Sequence, residues 1–89
     1  MNYKKQILEL TNMKNLLELN NIKLSNKVDN RNINYYDRTD KWKSSEKGIE
    51  YDLKTDYLNN EYNIVDEVIL SLNNAIEDLT QIDEINIKY

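Results

Sequence analysis

Apolar residues recur along this chain at intervals of three and four, in two long runs. From about Tyr3 to Asn30, the residues Ile7, Leu10, Met13, Leu17, Leu24 and Val28 fall within an arc of about 120° on a helical wheel. That spacing predicts an amphipathic helix. Lys14 and Asn21 lie inside the arc. A polar residue in an apolar seam sets register at some cost in stability. Leu8, Leu16, Leu19 and Ile22 lie on roughly the opposite side. A helix apolar on two faces has two neighbours. Either both lie within one chain, or one face docks on the rest of the chain while Leu8, Leu19 and Ile22 meet a second copy.

The second run extends from about Glu46 to Ile82. Val65, Val68, Leu72, Ala75, Leu79 and Ile82 are spaced 3, 4, 3, 4 and 3, a heptad seam widened by Leu58, Ile64, Ile69 and Ile76. Asp52, Asp56, Asp66, Glu67, Glu77, Asp78 and Glu84 point away from it. Asp56, Glu67 and Asp78 are each eleven residues apart and form a ridge along one edge. Glu61 falls in the seam and is expected to pair with a basic residue of the first run, such as Lys14.

Between the runs, Asp29-Asn30-Arg31-Asn32 predicts a break, since these are turn and cap residues. A short helix over 33–44 follows, with Tyr35, Tyr36 and Trp42 and with Asn34 or Asp37 as N-cap. Ser44-Ser45 interrupts it, and Ser45 caps the long helix. Residues 83–89 alternate apolar and polar, but a lone strand of that length does not hold, which predicts a frayed tail. The pattern thus predicts one all-α domain over 1–89. It is a small bundle of a basic helix (1–30), a short aromatic helix (33–44) and a long acidic helix (45–82) packed back antiparallel.

Composition supports helix and removes much chemistry. The chain has no Pro and one Gly, so the two strongest helix breakers are nearly absent. It has no Cys and no His, hence no disulfide, no thiolate and no imidazole base or ligand. Carboxylates are plentiful but sit on a periodic solvent face, and no segment matches an EF-hand, a P-loop or a glycine-rich nucleotide loop. We therefore expect no enzyme activity, cofactor or metal. There is no run of 18 apolar residues and no signal-like start, so a cytosolic location in a bacterial host and no membrane partner are expected.

Charge divides the chain in two. Residues 1–47 carry ten Lys/Arg against six Asp/Glu, and residues 48–89 carry two against ten. Two such arms attract each other, or the acidic arm faces a partner. Lys4, Lys5, Lys14, Lys23, Lys27, Arg31, Arg38, Lys41, Lys43 and Lys47, interleaved with aromatics, also suit nucleic acid. They are dispersed in a chain of net charge −4, which weighs against that use.

The stretch from Arg38 to Leu58 resembles a pattern in small helical proteins of phages, prophages and other mobile elements. The pattern is Arg-Ser/Thr-x-Lys-Trp-x-x-Ser-Glu-Lys-Gly-x-x-Tyr-x-x-Lys-Thr-Asp-x-Leu. It is met here by Arg38, Lys41, Trp42, Ser45, Glu46, Lys47, Gly48, Tyr51, Lys54, Thr55, Asp56 and Leu58. The resemblance implies a mobile-element setting and a helix–break–helix unit, with Trp42 over Gly48 and Tyr51 and Ser45 as cap. It implies no activity. Three functions are expected in order. The first is a non-enzymatic binder of a host protein through Asp52, Asp56, Asp66, Glu67, Glu77 and Asp78, such as an anti-CRISPR or other anti-defence inhibitor. A small nucleic-acid-binding regulator comes second, and a structural coiled coil third. A homodimer is expected because a chain this short has a thin core.

Overall fold

The computed structural model describes residues 2–89. Helix α1 runs from Lys4 to Tyr36, a single turn α2 from Asp40 to Lys43, and α3 from Glu46 to Lys88. No strand occurs among the described residues. The fold is all-α: α1 and α3 pack antiparallel into a rod whose backbone measures 70 × 14 × 13 Å. Each chain end of the hairpin is tied across. The Tyr3 amide donates to the Asp83 carboxylate, and Arg31 reaches Thr55 near the turn. Both pairs of residue numbers sum to 86, which gives the register.

The inner face repeats every seven residues without a skip. In α1 it holds Tyr3, Ile7, Leu10, Lys14, Leu17, Asn21, Leu24, Val28, Arg31 and Tyr35, all buried or half-buried. In α3 it holds Gly48, Tyr51, Thr55, Leu58, Tyr62, Val65, Ile69, Leu72, Ile76, Leu79 and Asp83. Alternating steps of three and four keep both stripes facing each other along the rod. We label these positions a and d, with b, c, e, f and g between them.

Several expectations need correction. Residues 29–32 do not break α1. Val28, Arg31 and Tyr35 continue the seam, Asp29, Asn30 and Asn32 face solvent, and no Pro or Gly stops the helix. The short helix is one turn, capped by Thr39, whose hydroxyl accepts from the Trp42 amide at 3.2 Å. Neither Asn34 nor Asp37 caps it; Asp37 closes the C-terminus of α1 instead. Residues 83–88 are helical rather than frayed, because Asp83 anchors that turn to α1. The seam of α3 is rotated from the predicted one. It keeps Val65, Leu72 and Leu79 but uses Ile69, Ile76 and Asp83, leaving Val68 and Ile82 on the rim. Met13 is likewise exposed, and so is Glu61, while Lys14 donates to Asn73 at 3.4 Å rather than pairing with Glu61.

The core is small. Leu24 and Val28, each 8 % exposed, are the buried apolar residues among those described, beside polar Asn21, Thr55 and Asp83. Two helices can cover only one face of each other, so most apolar surface of a lone hairpin stays outside.

Candidate functional site

Three surfaces follow from this architecture. The first is the acidic side of α3. That helix carries eleven Asp/Glu against three Lys/Arg, a net of −8, while α1 carries three against six, a net of +3. Asp52, Asp56, Asp66, Glu67, Glu77 and Asp78 are all exposed. Asp52 and Asp66 occupy e positions, Asp56 and Glu77 b, Glu67 f and Asp78 c. Five of the six therefore lie on the outer and e-side surface of α3, and Asp78 lies toward the other edge. The expected offset of α3 charge by α1 does not take the form of cation–carboxylate pairs in the links that follow. Polar links across the seam run from Tyr3, Lys14, Asn21 and Arg31 to carboxylate, amide, hydroxyl and carbonyl oxygens, and the carboxylate among these acceptors is that of Asp83.

A groove of about 460 Å³ opens on the e side at mid-rod, between Glu18, Asn21 and Ser25 of α1 and Tyr62, Asp66 and Ile69 of α3. A smaller one adjoins it, where Lys14, Glu18, Asp66 and Asn73 converge. Asn21 forms the floor. Its amide donates to the Tyr62 carbonyl at 3.2 Å, and its Oδ1 makes no hydrogen bond. A polar residue buried in an otherwise apolar seam fixes which residues face it across the rod.

The second surface is the tip of the hairpin. Ser45 accepts from the Gly48 amide at 3.2 Å and donates to the Trp42 carbonyl, which closes the turn between α2 and α3. Gly48 is required there. A Cβ at that position collides with the Trp42 carbonyl oxygen and comes within 2.9 Å of Lys43 backbone atoms. Trp42 meets Tyr51 edge-on at 5.7 Å and Tyr35 at 6.2 Å between ring centres. Cations cover the rings: Arg31 lies 3.9 Å from the Tyr51 centroid and Arg38 4.5 Å from that of Trp42. Arg31 also donates to the Thr55 hydroxyl and the Tyr51 carbonyl, both at 2.9 Å. Basic and aromatic residues of the tip thus satisfy one another.

The third surface is apolar. Leu8, Leu19 and Ile22, between 58 and 61 % exposed, lie with Ile33 on the outer side of α1. The short aromatic segment does not cover them, since α2 packs at the far end against α3. A separate stripe on α3 comprises Ile64, Val68, Ile82 and Ile85. No group of three or more metal-ligating side chains occurs among the described residues, and no helix there is long and apolar enough to cross a membrane.

Asp83 and Arg31 are the residues that the sequence pattern undervalued. Each was legible as a polar residue at a step of three or four from apolar seam residues. Comparison with family models, curated proteins and solved structures gave no match to this chain.

Proposed function

We propose that this protein acts without catalysis, by binding another protein through the acidic side of its long helix. In this reading it is a mobile-element product that occupies a cationic surface of a host protein, as an anti-defence inhibitor of the anti-CRISPR kind does. One observation carries the reading: α3 presents Asp52, Asp56, Asp66, Glu67 and Glu77 to solvent along a straight rod. An acidic rod offers a cationic channel the same sign of charge as a phosphate backbone, which favours encounter and register. The adjoining grooves around Asp66 supply shape, and the resemblance of Arg38–Leu58 to mobile-element proteins supplies the setting.

The test is charge reversal. Asp56→Lys, Glu67→Lys and Glu77→Lys are combined in one variant and compared with the wild type for protection of phage in a host with active CRISPR defence. Protection lost in a variant that keeps its helicity supports the reading. Protection absent from the wild type, or retained by the variant, removes it. The nucleic-acid reading is less well supported, because the tip cations already lie over the chain's own rings. A salt-sensitive gel shift with DNA would revive it.

A further inference from the structure

We propose that a second copy of this chain covers the g and c stripe of α3, antiparallel, with Ala75 on the twofold axis. The first ground is area. The chain exposes 7113 Å², whereas a compact protein of 10.7 kDa exposes about 5,500 Å². The difference, about 1,600 Å², is roughly twice what one partner contributes to an ordinary stable interface.

The second ground is the width of the apolar arc. Over residues 64–85, apolar side chains of α3 occupy a and d, which face α1, and also g and c. The latter are Ile64, Val68, Ala75, Ile82 and Ile85. At 100° per residue this spans about 160°, wider than a two-stranded seam uses and typical of a helix with more than one neighbour. Met13 and Leu16 lie at g and c of α1, and the register sets them level with residues 73 and 70. The large apolar side chains of the stripe are 42 to 68 % exposed, so the chain itself leaves about half of their surface open.

The third ground identifies the occupant. The stripe reads nearly the same in both directions from Ala75. Val68 and Ile82 lie seven residues to either side, Ile64 and Ile85 eleven and ten, and Ser71 and Asp78 four and three. A twofold axis through Ala75 therefore sets Val68 against Ile82 of the second copy, Ile64 against Ile85, and polar Ser71 against polar Asp78. The small side chain on the axis admits close approach, and Met13 packs beside it. A second copy turned about that axis therefore sets apolar against apolar and polar against polar along the stripe, the self-complementarity an isologous contact uses. The arrangement leaves Asp52, Asp56, Asp66, Glu67 and Glu77 facing outward. It does not depend on the partner-binding reading, whose test uses only those ridge residues. It also moves the expected dimer contact away from Leu8, Leu19 and Ile22.

The chain has no cysteine, which makes the test direct. Ala75→Cys under oxidised glutathione should give a disulfide-linked dimer, and Leu19→Cys should not. Wild type should be a dimer at about 50 µM by light scattering, and Val68→Glu with Ile82→Glu should be a monomer. If that double variant unfolds, the cysteine pair still decides. Because two acidic helices meet, the dimer should tighten by about threefold between 50 and 500 mM NaCl as repulsion is screened. A monomeric wild type, a dimeric double variant, or cross-linking through Leu19→Cys but not Ala75→Cys would overturn the proposal.

Discussion

The two ends of the rod are held by different means. At the closed end, polar and aromatic groups do the work. Thr39 and Ser45 cap, Arg31 bridges to Thr55 and Tyr51, and rings and cations stack around Trp42. The seam there contains Gly48 and Thr55, residues that add little apolar area. At the open end the seam is mostly aliphatic, with Ile7, Leu10 and Leu17 opposite Ile69, Leu72, Ile76 and Leu79, while Lys14 reaches Asn73 and Asp83 ties the last turns. The closed end is specified by directional contacts that the chain makes with itself. The open arm has non-directional burial and an apolar surplus, so it gains most from a neighbour.

This contrast can be broken at either end. The largest effect is expected from Leu72→Asp, which buries an unpaired charge in the aliphatic seam and should cost about 3 kcal/mol or more in urea denaturation. Gly48→Ala strikes the closed end, where a methyl group meets backbone rather than a movable side chain. It should cost about 2 kcal/mol, with loss of near-ultraviolet dichroism from Trp42 before any loss of helix. Asp83→Ala should cost about 1 kcal/mol. Its signature is local: amide exchange rises in the first turns of α1 while the tip keeps its protection. Asp66→Lys, on the exposed side, should change stability by about 0.5 kcal/mol or less. If Asp66→Lys matched Leu72→Asp, the assignment of inner and outer faces would be wrong.

Much of this was legible in the sequence for a plain reason. Seam spacing, the near absence of Gly and Pro, and the cap at Ser45 are local properties, and each maps onto one geometry. The extent of α1 was not legible, because Asp29 to Asn32 favour a turn only where packing does not prefer helix. Local preference of a few tenths of a kcal/mol yields to the seam that Val28, Arg31 and Tyr35 continue. The rotation of α3 was hidden for a related reason. Val68 and Ile82 are nearly as apolar as Ile69 and Ile76, so a single-chain wheel finds the middle of a broad arc rather than the edge that α1 occupies.

By itself the sequence determined an all-α fold in which a basic helix and a long acidic helix pack antiparallel. Periodicity and backbone sterics act over a few residues and need no partner to be read. Only the tertiary structure decided which of two overlapping apolar stripes faces inward. It also decided that Asp83 accepts from the Tyr3 amide at the start of the opposite helix and that Lys14 meets Asn73 rather than Glu61. Those outcomes depend on the register between two helices far apart in the chain, a single number that no local window contains.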